Sequence, residues 1–186
     1  PDYSSALVDL PFSFGFYGEL YSQITINTNG WIVFGYTDAH SFRNHPIPGA
    51  GGPSPMVAAF WDDMTTNSGG KVLTAIYDEN SDGLDDFIIQ WSNMRTDDNN
   101  SDEDFQIILY QSNNLNLDGD IKIQYKEFNN TSNGYYPNGQ GTPKHGAYTT
   151  VGIENKEANK GLQYTFNNVY PKGASDLNDE TAIFIT

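Results

Sequence analysis

The chain has 186 residues and a formal net charge of −15, from 24 acidic and 9 basic residues, and it contains no cysteine. That charge argues against a nucleic-acid partner, and the absence of thiols excludes a disulfide scaffold or a thiolate metal site. Apolar residues make up 37% of the chain and aromatic residues 14%. This is enough for one sizeable core, so residues 1–186 read as a single monomeric domain excised from a larger secreted or cell-surface chain. No apolar run is long enough to imply membrane insertion.

In chain order, short apolar runs are separated by Gly, Asn, Asp, Ser and Thr, and no amphipathic helix of ordinary length is present. Residues 1–10 are too mixed in character to assign beyond a candidate short strand at 6–10. Next, Phe12, Phe14 and Phe16 alternate with small residues, which predicts a half-buried strand with three rings on one face. Asn29-Gly30 lies between apolar runs at 24–27 and 31–34 and predicts a tight hairpin whose two central residues take positive φ. Residues 35–55 are the longest loop, rich in Pro and Gly, and are expected to be either functional or tied down by their own contacts.

A buried strand at 56–60 ends in Trp61-Asp62-Asp63, and residues 66–70 make a turn. Strands at 72–77 and 87–91 follow, then an acidic loop at 97–104. Further strands are expected at 105–110, 121–128, 149–154, 161–166 and 182–185, with a second long loop at 129–146. About ten strands in this pattern predict an all-β, two-sheet antiparallel β-sandwich, jelly-roll-like. Trp31, Trp61 and Trp91 read as core rings.

The segment 78–86 has a pattern with a chemical meaning. Asp78, Asn80, Asp82 and Asp86 occupy its first, third, fifth and ninth places, and Gly83 the sixth. Alternate oxygens around a sharp turn, completed by the Leu84 carbonyl, suit a hard cation, so the expected cofactor is a structural Ca2+. The spacing is similar to the front half of an EF-hand loop. However, strands flank it, and Ile89 stands where an EF-hand needs a bidentate Glu. The closer likeness is to calcium-binding hairpins between strands in integrin-type repeats. The competing reading is a plain acidic turn. Residues 114–120 repeat the first six places, but Lys122 at the ninth would repel a cation, so they read as a turn.

Asp62 and Asp63 beside Trp61 raise a glycoside hydrolase reading, with Glu154 or Asp104 as the partner carboxylate. Against it, one aspartate can cap backbone amides at the strand end while the other faces water. Nucleophile motifs are absent, and His40, His45 and His145 are scattered through loops, so the domain reads as non-catalytic. The expected role is carbohydrate binding, with a polysaccharide or cell-surface glycan as partner. The candidate residues are Tyr135, Tyr136, Asn138, Gln140 and Tyr148 in the second long loop, and Tyr36, His40, Phe42 and Arg43 in the first. The bland counterpart is that these rings lock the loops onto the sandwich. The alternative function is an adhesion or spacer module that binds a protein or nothing.

Several stretches together resemble a non-catalytic β-sandwich domain of large secreted Bacteroidetes proteins exported by the type IX (Por) system. They are the run from Leu10 through Phe12, Phe14 and Phe16 to Gly18, Asn29-Gly30-Trp31, Arg43-Asn44-His45-Pro46-Ile47-Pro48, Ala59-Phe60-Trp61-Asp62-Asp63, Asp118-Gly119-Asp120-Ile121 with Gln124-Tyr125-Lys126, Val151-Gly152-Ile153-Glu154-Asn155 and Gly161-Leu162-Gln163-Tyr164. The part through Asp63 also resembles the nidogen-type extracellular domain. The resemblance implies an extracellular accessory module without catalysis, and it brings no ligand with it.

Overall fold

The computed structural model describes residues 4–114, 117–133 and 148–186, and builds them into twelve strands with a single 3-10 turn at Asn67–Gly69. The strands are β1 (Ser5–Phe16), β2 (Glu19–Asn27), β3 (Trp31–Phe34), β4 (Met56–Trp61), β5 (Met64–Thr65), β6 (Lys71–Tyr77), β7 (Asp86–Thr96), β8 (Asp102–Leu109), β9 (Ile121–Phe128), β10 (Thr150–Glu154), β11 (Gly161–Thr165) and β12 (Thr181–Ile185). One sheet has the order β1-β2-β3-β4-β10-β11. The other runs β12-β9-β8-β7, with β5 and β6 both pairing β7. Consecutive strands are mostly neighbours, so each sheet grows as an antiparallel meander, and β10 to β12 return to complete both.

The inward faces of the two sheets form one core. Phe14, Phe16, Phe34, Phe60, Trp91, Phe105 and Tyr125 are all buried within it. Two of its polar tips bond across the sandwich, as buried rings with a donor must. The Trp91 indole donates to the Asn27 carbonyl at 2.9 Å, and the Tyr125 hydroxyl donates to the Ala59 carbonyl at 2.7 Å.

A second core lies on the outer face of the first sheet, where Trp31, Val33, Ile47, Met56, Ala58 and Trp61 pack together. The long loop after β3 supplies its lid. Trp31 and Trp61 both donate their indole N–H to the Ser41 carbonyl, at 2.9 and 3.0 Å. Asn44 donates to Thr150 Oγ1, and Ile47 N–H donates to Gln163. Glu154 accepts from the Gly49 N–H at 2.9 Å and from the Ser54 hydroxyl at 2.8 Å. This explains why β4 is buried along its whole length. Trp31 and Trp61 lie in this outer core and Trp91 in the one between the sheets, so all three tryptophans hold core positions.

Three expectations are revised. The β2–β3 connection is a three-residue turn, Thr28-Asn29-Gly30, in which Gly30 has φ +78° and Asn29 does not take positive φ. The reason is a bulge in β4, where the Ala59 and Phe60 N–H groups both donate to the Gly30 carbonyl at 3.0 Å. Strand β1 is continuous from Ser5 rather than a short piece before the Phe-rich run. The acidic loop is shorter than expected, because Asp102, Glu103 and Asp104 belong to β8.

A methyl group on Gly30 would stand 1.9 Å from the Phe60 carbonyl oxygen in a backbone region that L side chains rarely adopt. Gly30→Ala is therefore expected to cost about 2 kcal/mol or more, read as a lower urea midpoint at unchanged m-value. Unchanged stability would show that the bulge is not rigid.

Candidate functional site

The 78–86 hairpin links β6 to β7, and its oxygens face backbone amides. Asp78 accepts from Asp82 N–H at 3.1 Å and Gly83 N–H at 3.0 Å. Asn80 Oδ1 accepts from Asp82 N–H, and Asp82 accepts from Leu84 N–H at 2.8 Å and from the Asn80 amide. Asp86 is fully buried and accepts from Glu79 N–H at 2.9 Å and Gln111 N–H at 3.2 Å. Burial pushes its pKa up, and these two amides oppose the shift. Among the described residues no three Asp, Glu, His or Cys groups are placed to hold a metal ion together. The hairpin thus closes on its own hydrogen bonds, while most of its carboxylate oxygens keep a second lone pair.

Two neighbours of the hairpin have distinct jobs. Glu79 points out of the turn, accepting from the Tyr110 hydroxyl at 2.5 Å and from Lys122 at 2.9 Å. These two bonds hold its pKa below the ordinary carboxylate value. Five acids share this turn (Asp78, Glu79, Asp82, Asp85 and Asp86), and the pairing of Glu79 with Lys122 relieves part of their mutual repulsion. In the 114–120 loop, Asp118 accepts from Gly18 N–H at 2.7 Å and Gly119 N–H donates to the Gly15 carbonyl at 2.8 Å, so this loop is fastened to β1.

The loop candidates divide into two groups. Arg43 sits over the Phe42 ring, 5.8 Å from its centroid, and with His40 and His45 they line a depression of about 530 Å³. Tyr36 is largely exposed and does not line it. Tyr148 donates its backbone N–H to the Ser132 carbonyl and accepts at its own carbonyl from Asn44, which joins the two long loops. Tyr135, Tyr136, Asn138 and Gln140 lie outside the described residues.

The hydrolase quartet does not face a common space. Asp62 and Asp63 are buried, and Asp62 Oδ1 accepts from Asp63 N–H at 2.8 Å, which is the strand-end capping role. Glu154 holds the long loop, as described above. Asp104 lies on the second sheet, accepting from Gln90 at 3.1 Å and from Ser92. Near Asp62 lies instead a buried Glu103, which accepts from the Ser101 hydroxyl at 2.7 Å and from the N–H groups of Asn129 and Asn130. Burial, with a small push from Asp62, raises the Glu103 pKa to about 8.

A feature absent from the sequence reading lies on the outer face of the second sheet. Gln90, Gln106 and Gln124 stand opposite one another on β7, β8 and β9. Their amides form a ladder: Gln124 donates to Gln106 at 2.6 Å, Gln106 to Gln90 at 3.2 Å, and Gln90 to Asp104. Each primary amide has two N–H groups and two lone pairs. A ladder therefore fixes the amide planes and leaves further donors and acceptors open to the surface. The groove above it has a volume of about 430 Å³ and is also lined by Lys122, Lys126 and Ala182. Lys122 is paired with Glu79, and Lys126 lies 3.8 Å from Asp104, so neither cation stands alone. Next to the groove, Phe184 is 56% exposed, with Tyr110 at 5.6 Å between ring centroids. The available signal was glutamine at outward positions of three core strands.

The raised Glu103 value has a definite sign. Its folded pKa of about 8 exceeds the ordinary 4.5. Its proton therefore contributes stability that is complete below the unfolded value and is lost as pH rises through the folded one. Melting temperatures measured between those two pH values should fall more steeply for the wild type than for Glu103→Gln. Parallel profiles would mean that Glu103 is ionised in the fold.

No helix of the described residues is long and apolar enough to cross a membrane. Searches of curated proteins and of solved structures gave no match. The NIDO-related (nidogen-related) family model matches residues 1–184, so the nidogen likeness extends far beyond Asp63. That family consists of non-enzymatic modules that are typically extracellular. The chain belongs to the nidogen-related family.

Proposed function

We propose that this domain is a non-catalytic extracellular recognition module that binds an uncharged glycan on the outer face of its second sheet, with calcium pinning the neighbouring 78–86 hairpin. The observation that carries the glycan reading is the Gln90–Gln106–Gln124 amide ladder in its groove. Sugar hydroxyls both donate and accept, and pre-oriented amides offer both functions without further ordering cost. Phe184 supplies an apolar ring at the edge, and the paired lysines leave no strong local field to favour a charged ligand. Attachment to a larger exported protein, as the resemblance to type IX-secreted chains implies, would make this recognition an anchoring function.

Calorimetric titration with soluble neutral β-glucan, xylan and mannan tests the glycan reading. The double variant Gln106→Ala, Gln124→Ala should lose at least about tenfold in affinity, the equivalent of about 1.4 kcal/mol. Arg43→Ala and Tyr36→Ala should bind like the wild type. The reverse pattern would move the site to the first long loop. Silence across all three polysaccharides would favour the adhesion or spacer role.

Calcium is supported by the donor spacing of Asp78, Asn80, Asp82 and Asp86 and by the burial of Asp86, whose charge lacks a cationic partner in the hydrogen bonds described. Saturating Ca2+ should raise the melting temperature, by an amount corresponding to about 2.7 kcal/mol at a hundredfold excess over Kd. Asp82→Ala should abolish that rise. A melting curve indifferent to both calcium and chelator would reduce the hairpin to a hydrogen-bonded turn.

A further inference from the structure

The edge strands are protected to very different degrees. An unpaired strand edge is a template for another chain, and proteins blunt such edges with charge, proline, bulges or shortness. β1 carries Asp9 and Pro11, and its register is interrupted between Asp9 and Phe14. β11 and β12 have five residues each. β6 has none of these defences. It pairs β7 without a register break from Lys71↔Ser92 to Tyr77↔Asp86. From Val72 to Tyr77 it contains neither charge nor proline.

Apart from Val72, which packs against the core, β6 is exposed along its length. Leu73 is 49% exposed, Ile76 55% and Tyr77 64%. On its inward side an open slot of about 540 Å³ separates it from β1, lined by Ala6, Val8, Ile26 and Val72 among others. None of the chain's acidic residues lines this slot, and Lys71 is its one charge.

We propose that β6 pairs antiparallel with β6 of a second copy of this chain, joining two second sheets across a two-fold axis at Thr74. The strand is self-complementary in that register. Val72 meets Ile76 on the inward face, Leu73 meets Ala75 on the outward face, and Thr74 meets itself. Lys71 of each copy lies opposite Tyr77 and next to the acidic turn that begins at Asp78 of the other. The strand's one cation thus meets the most acidic turn at its far end, which favours this antiparallel arrangement over a parallel one. The interface is isologous, so pairing uses up both edges and stops at two copies. The two inward slots come to lie on the same side and share a lining. Repulsion between two chains of net charge −15 opposes pairing, and it is largely screened at physiological ionic strength, where the Debye length is about 8 Å.

Sedimentation equilibrium at physiological salt should show the mass doubling as concentration rises through the micromolar range and growing no further. Leu73→Lys and Ile76→Lys replace exposed side chains, so both should fold with near-normal melting and remain monomeric. The register has its own readout, because the chain has no native cysteine to compete. Directly opposed Cα atoms in an antiparallel pair are about 4.5–5.5 Å apart, within disulfide reach. Thr74→Cys should therefore oxidise to a covalent dimer at least tenfold faster than the exposed control Ser13→Cys. A wild type that stays monomeric, a dimer that survives both lysine variants, or equal oxidation rates for the two cysteine variants would each overturn the proposal.

Discussion

Two indole N–H groups converge on one carbonyl oxygen. Trp31 and Trp61 both donate to Ser41, and through that contact the longest described loop is drawn across the outer face of the first sheet. The consequence is asymmetric. The centre of the first sheet, β3, β4 and β10, is buried on both faces, with one apolar cluster between the sheets and another beneath the loop. An antiparallel sheet can leave one face to water, and here the second sheet does so, exposing its polar rows of side chains. What is available for recognition follows from that division. The first long loop acts chiefly as a lid, held by Asn44, Ile47, Gly49 and Ser54, while the second sheet presents a groove and an open edge.

The parts of the fold that depend on local sequence were legible. Alternating phenylalanines in β1, apolar runs around the acidic hairpin, and turn residues between them specify strands and turns because each signal resides within a few neighbouring residues. The parts that depend on register were not. Gln90, Gln106 and Gln124 are separated by 16 and 18 residues, and only the pairing of β7, β8 and β9 brings their amides together. Glu103 reads as a member of an acidic loop because Asp and Glu are poor strand formers. In the structure its carboxyl is buried, with three donors from Ser101, Asn129 and Asn130, and those bonds outweigh its propensity. The Asn29-Gly30 turn was recognisable as a turn, but its form is imposed by a bulge in β4, about thirty residues away, that no local motif announces.

The aspartates after Trp61 illustrate how a chemical motif and a structural one can share a spelling. Two adjacent carboxylates beside an indole are compatible with sugar hydrolysis only if both reach the substrate from opposite sides. Here both are buried at a strand end, one of them caps the other's N–H, and the nearby Glu103 has its pKa raised to about 8. Burial of that kind suits a group that fixes backbone more than one that exchanges protons with a ligand. The non-enzymatic character of the nidogen-related family agrees with that geometry.

The hairpin and the amide groove are physically joined, and the joint is Glu79. It leaves the acidic turn to accept from Tyr110 and Lys122. Tyr110 packs against Phe184, and Lys122 is next to Gln124's row on β9. The same carboxylate therefore positions the aromatic edge of the groove and keeps the lysine from standing as a lone positive charge in it. The 78–86 turn thus touches the groove through Glu79, whose partner Lys122 is one of the groove's lining residues. Under the function proposed above, a cation that ordered the turn would also order Glu79, and with it Tyr110 and Lys122 beside the groove.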